Sequence, residues 1–262
     1  MIRPVLGVAS AAPVEGVRAP ALIAVAHGSR DPRSAATMHA VVEGIAARRP
    51  GVDVRLAFLD LSTPSVEQVV DAVAADGHTH AVVVPLLLGS AFHARVDLPG
   101  LLDSARARNP RLRLTQADVL GPDARLIAAL RDRALEALAA QGRSPERVGV
   151  AVAAVGSSSA AANARTAWVA RLLTGITGWD TEICFATTEP TVGEAVARLR
   201  ARGADEVLVA PWFLAPGLLT DRLWNAASDT VHAEVIGPHR ALTEIGWDRY
   251  EAAVAAPLTL SA

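Results

Sequence analysis

The chain contains no lysine; all 25 of its cationic side chains are arginine. That excludes Schiff-base chemistry on a lysine and any Walker-type phosphate loop, which needs one. Cys184 is the only cysteine, so neither a disulfide framework nor a thiolate metal cluster can form within the chain. In its apolar surroundings it reads as a small buried hydrophobe in a strand. No apolar run reaches the length of a membrane span. Against a net charge of −2 no basic run stands out, so nucleic acid has no electrostatic handle. Residues 1–19 carry a broken apolar pattern rather than a secretory h-region and read as a mobile lead-in. These absences predict a cytoplasmic protein with neither a membrane nor a nucleic-acid partner.

What is present is a hydrophobic share of 51% over 262 residues, room for one large domain or two ordinary ones. The organising stretch is Ala21-Leu22-Ile23-Ala24-Val25-Ala26-His27-Gly28-Ser29-Arg30-Asp31-Pro32. Six apolar residues predict a buried parallel strand. Gly28 and Ser29 allow a sharp turn, and Asp31-Pro32 opens a helix as N-cap and first helical residue. Further along, Val54–Leu59, Ala81–Leu88 and Leu114–Leu120 read as strands, and amphipathic stripes follow the Ala21–Ala26 and Val54–Leu59 strands. A loop is predicted from Gly89 to Pro99, and a long helix runs to Ala140. Strands alternating with helices predict an α/β protein with a mostly parallel sheet.

The pattern then begins again. Gly156-Ser157 follows an apolar strand as Gly28-Ser29 does, Pro190 and Gly203 repeat the spacing of Pro64 and Gly77, and Gly237-Pro238 answers Gly121-Pro122. Four landmarks in order predict an internal duplication. The expectation is two tandem, similar α/β domains, each a mostly parallel four-stranded sheet flanked by helices. Residues 20–142 form the first, residues 147–256 the second, and the polar, turn-rich stretch from Gln141 to Pro145 the linker.

His27, Asp60 and His93 follow the first three strands of the first half, so all three should project from one carboxyl edge, where open α/β sheets bind ligands. At the same landmark offsets the second half carries Val155, Ala186 and Leu219. Polar groups confined to one half point to one site, in the first domain. Two imidazoles and a carboxylate suit a divalent first-row metal or acid–base work, and the small number of ligands leaves positions open. A hydrogen-bonded polar cluster is the plainer reading of the same residues.

The combination of His27-Gly28-Ser29-Arg30, Phe58-Leu59-Asp60, Pro85 to Leu88, Phe92-His93 and Asp97-Leu98-Pro99 resembles the sirohydrochlorin chelatases. These are the class II tetrapyrrole chelatases, which insert cobalt or iron into sirohydrochlorin. The resemblance covers nearly the whole chain, including the duplication. It implies a chelatase-like, Rossmann-like fold with His27 and His93 as metal-handling and catalytic groups. Asp60 stands where the family commonly has glutamate, a carboxylate of shorter reach. The resemblance further implies a divalent metal substrate, Fe2+ or Co2+, no organic cofactor, and sirohydrochlorin as the small-molecule partner. Because sirohydrochlorin is a polycarboxylate, Arg30 and Arg95 are candidates to orient it, with Ser29 and Ser90 as hydrogen-bond donors. One chain can form its own cleft, so a monomer suffices. A non-catalytic carrier of metal or tetrapyrrole would use the same residues. A phosphate-handling hydrolase with a strand-end histidine nucleophile typically places Arg before that histidine, where this chain has Ala26.

Overall fold

The computed structural model describes residues 18–89, 97–142 and 147–256. Ser90, Phe92, His93 and Arg95, most of the expected lead-in, and the linker residues Ser144 and Pro145 lie outside the described residues. The first half runs β1 (Ala21–Ala26), α1 (Pro32–Arg48), β2 (Val54–Phe58), α2 (Val66–Ala75), β3 (His80–Pro85), α3 (Leu98–Arg108), β4 (Arg113–Gln116) and α4 (Ala124–Ala140). The second repeats it as β5 (Val148–Ala154), α5 (Ala160–Thr177), β6 (Asp180–Phe185), α6 (Val192–Ala201), β7 (Glu206–Pro211), α7 (Leu218–Ala226), β8 (Val231–His232) and α8 (Arg240–Ala255). Each half makes a four-stranded parallel sheet of the same order, β2-β1-β3-β4 and β6-β5-β7-β8.

The sequence dictates these elements locally. β1 is buried over its whole length because helices cover both faces of its sheet. Its alternate residues serve different cores: Leu22, Ala24 and Ala26 face one cluster, Ala21, Ile23 and Val25 another. Asp31 caps α1 by accepting from the Arg33 N–H, with Pro32 in the first turn. A capping box opens α2 through Ser65 and Gln68, and the same device opens α6 through Thr191 and Glu194.

Several elements differ from the sequence reading. β2 and β3 end at Phe58 and Pro85, earlier than the apolar runs do, and β4 covers only Arg113–Gln116. After Pro85 the chain turns at once, with Leu87 N–H donating to the Pro85 carbonyl. α3 begins within the loop predicted to reach Pro99 and runs on where no helix was expected. Its inward stripe is only Leu98, Leu102 and Ala105, too sparse among charged residues to stand out.

The two halves do not pack as separate units. α4 lies against α5 and the β7–β8 edge of the second sheet, while α8 lies on α1, β3 and β4 of the first. Each half therefore lends its last helix to the other. One shared core joins Leu22, Ile45 and Leu130 to Val152, Ile245 and Trp247, and a smaller outer core belongs to each half alone. Buried polar contacts fasten the exchange. Trp247 Nε1–H donates to the Ile45 carbonyl (3.1 Å), and the Tyr250 hydroxyl donates to that of Pro20 (2.7 Å). Arg133 donates to the Ile236 carbonyl in the reverse direction.

Candidate active site

β1 and β2 are parallel and paired as far as Ala26 and Phe58, so the residues that follow leave the sheet at one edge. There Leu59 N–H donates to the Ala26 carbonyl and Asp60 N–H to the His27 carbonyl (3.0 Å). His27 and Asp60 are thus neighbours through the backbone, and both are exposed.

The turn after His27 is held from three sides. Gly28 has φ +94°, and a Cβ there would lie 1.7 Å from the Asp60 carbonyl oxygen, so only glycine fits. Ser29 N–H donates to Ser62 Oγ (3.1 Å), and the Ser62 hydroxyl donates to the Ser29 carbonyl (3.0 Å). Ser29 Oγ accepts from Asp31 N–H, so this candidate substrate group also shapes the entry to α1. Arg30 is exposed. Arg33 holds the Asp31 carboxyl below the usual carboxylate range. Its guanidinium also reaches the second half, pairing with Asp221 on α7 at 2.6 Å. Beside this bridge Gly217, at the start of α7, comes close to Ser29 and Asp31.

After β2, Asp60 Oδ1 accepts from Leu61 N–H (2.7 Å), and Ser62 N–H donates back to the Asp60 carbonyl (2.7 Å). This three-residue turn is a γ-turn centred on Leu61, whose φ is +60°. Among the described residues no three His, Cys, Asp or Glu side chains gather closely enough to hold a metal ion. His93, the third group expected from the sequence, lies outside them with Ser90 and Arg95.

Register corrects one pairing between the halves. Val155, 45% exposed, takes the place of His27 as expected. Thr187, and not Ala186, takes the place of Asp60, because Thr187 N–H donates to the Val155 carbonyl as Asp60 N–H does to that of His27. Counting back from Pro64 and Pro190 missed this because the loop after β2 is one residue longer than the loop after β6. Phe58 and Phe185 bond to the carbonyls of Pro64 and Pro190 at its far ends. The position opposite Asp60 is therefore polar in the second half as well.

In the apolar stretch after β7, Trp212 is buried and, with Leu214, joins the shared core, whereas Leu218 is 71% exposed. Three other histidines are engaged away from this edge. His78 Nε2 lies 2.9 Å from Asp53, His80 Nε2 is 3.0 Å from Thr115 Oγ1, and His239 caps α8. Cys184 is buried, as expected, and burial pushes its thiol up to about 12.

The CbiX family model matches residues 21–137 and, separately, 149–253, one match for each half. The chain belongs to the CbiX family. It is 30% identical over 205 residues to the sirohydrochlorin cobaltochelatase of Priestia megaterium, covering 76% of this chain and 65% of that one, just under two thirds. It is 27% identical over 237 residues to the sirohydrochlorin ferrochelatase of the same organism, covering 86% and 87%. Among solved structures, SirB from Bacillus subtilis with Fe3+ superposes with a TM-score of 0.78 at 25% identity, over 90% of this chain and 96% of that one. This agreement includes the tandem four-stranded parallel sheets, so the fold expected from the sequence is the CbiX-family fold.

Proposed function

We propose that this chain is a sirohydrochlorin chelatase that inserts a divalent metal, Fe2+ or Co2+, into sirohydrochlorin in the cytoplasm, acting without an organic cofactor. The observation that carries the reading is the placing of His27 and Asp60 on adjacent strand ends at an exposed edge, in a chain whose halves both match the CbiX family. Its relatives divide between cobaltochelatases and ferrochelatases, so both metals belong in the test.

Insertion removes two pyrrole protons and sets one divalent ion in their place. Neutral imidazole both ligates such an ion and accepts a proton, since its ordinary pKa is about 6.5. In this reading His27 and His93 divide metal binding and proton removal, and Asp60 orients one of them or completes the metal's ligands. Arg30 and Arg95 meet the substrate's carboxylates, with Ser29 and Ser90 donating hydrogen bonds. Residues 20–142 carry the site, and residues 147–256 close it from the Leu218 and Asp221 side, within a single chain.

The test is an anaerobic absorbance assay of the purified chain with sirohydrochlorin and each metal, compared with the uncatalysed rate. Conversion over many turnovers, lost in His27→Ala, is the expected result. A spectral shift that stops at one equivalent would make the chain a carrier instead.

A further inference from the structure

The loop after β2 holds one residue more than its counterpart after β6, and the extra length is taken up at Leu61. Thr187 stands opposite Asp60, and Pro190 opposite Pro64, which leaves two residues in the second half against three in the first. Leu61 has a positive φ, which side-chain-bearing residues seldom adopt, and half of its surface is exposed, so packing does not force the conformation. Hydrogen bonds force it: Ser62 N–H to the Asp60 carbonyl, and Leu61 N–H to Asp60 Oδ1. A backbone held in a sparsely populated region by its surroundings is a reason to look for a function there. The result of this turn is to aim the Ser62 hydroxyl at the peptide groups of Ser29, where it both accepts and donates. In the second half the residue opposite Asp60 is itself a hydroxyl, Thr187, whose Oγ1 donates to the Val155 carbonyl within its own paired strand ends, and Thr188 follows it in the shorter loop.

We propose that Ser62 is a positioning residue. Through its paired bonds to Ser29 it locks the turn that carries His27 to the turn that carries Asp60, so that imidazole and carboxylate keep a fixed separation. The inference rests on the chelatase reading for its functional effect, but its structural half can be read without turnover. Without the bridge, Gly28 still packs on the Asp60 carbonyl, but the Ser29 peptide groups lose their cross-loop partner and the His27 turn gains freedom.

The experiment compares Ser62→Ala, Ser62→Thr and the second-half control Thr188→Ala in the full chain. Steady-state Co2+ insertion is one readout, and the 1H–15N signals of the His27 ring are the other. Ser62→Ala is expected to lower kcat about tenfold while KM for sirohydrochlorin stays within about twofold, because misplacement of a reacting group costs rate more than binding. Its His27 signals should broaden or double. Ser62→Thr, which keeps the hydroxyl, should restore both readouts, and Thr188→Ala should match the wild type. If either readout is unmoved in Ser62→Ala, the proposal is overturned. If the wild type itself fails to insert metal, the chelatase reading fails, and the His27 signals alone decide the role of Ser62. Should Ser62→Ala not fold, Ser62→Cys, whose thiol is a weak and longer donor, is judged by the same two readouts.

Discussion

At the scale of single residues, Gly28 and His27 are adjacent and opposite in character. Gly28 is a matter of space and backbone. Its φ of +94° and the 1.7 Å approach to the Asp60 carbonyl leave no room for a methyl group. Gly28→Ala is therefore expected to destabilise the fold by at least about 2 kcal/mol, measured by denaturant unfolding. His27 is exposed and at a strand end, so His27→Ala should leave the thermal midpoint within about 2 °C while removing most of the insertion activity. A stable but fully active His27→Ala would sink the site assignment. The glycine, the histidine and the capping Asp31 were all legible in the sequence, because an apolar run ending in His-Gly-Ser and then Asp-Pro has few other local solutions. The γ-turn at Leu61 was not. A leucine carries no turn signal, and the bonds that hold it there, from Ser62 N–H to the Asp60 carbonyl and from its own N–H to Asp60 Oδ1, leave no mark in the residue pattern. For the same reason the pairing of Asp60 with Thr187 needed the strand register.

At the scale of elements, helix ends are the most readable features and sparse helices the least. A capping aspartate and the proline after it announced α1, whereas α3, with three inward residues, was passed over. α8 has an unusual cap. His239 Nδ1 accepts from Ala241 N–H, which requires an unprotonated nitrogen, and burial together with Arg133 holds this imidazole below its ordinary 6.5. The folded state thus binds that proton more weakly than the unfolded chain does. Stability is complete above the unfolded value and falls as pH drops through the folded one. His80, lowered by burial and by Arg113, adds to the same trend. The thermal midpoint is expected to decline between about pH 7 and about pH 5, and His239→Asn, which keeps an acceptor at the N-cap, should make the decline shallower. A decline as steep as that of the wild type would show that the cap does not titrate as described.

At the scale of the whole molecule, the duplication was visible in proline and glycine spacing, and the two sheets follow it closely. The exchange of α4 and α8 was not visible, because an amphipathic stripe records that a helix is covered and not which sheet covers it. The exchange makes each half dependent on the other. A fragment ending at Gly142 would lack the Leu242, Ile245 and Trp247 side chains that cover its shared core, and would carry α4 with no second sheet beneath it. It is expected to lack the sharp tertiary signals of a packed domain in near-ultraviolet circular dichroism, and to regain them when mixed with residues 147–262. A well-folded isolated fragment would contradict this. The same feature orders events in time. A ribosome delivers β1 well before α8, so the face of the first sheet that bears Leu22 and Val82 waits, partly bare, until the second half and its α8 have been made. A nascent chain with such a surface needs shelter from its neighbours during synthesis, and slowing translation early in the message would lengthen that exposure instead of helping the first half to fold.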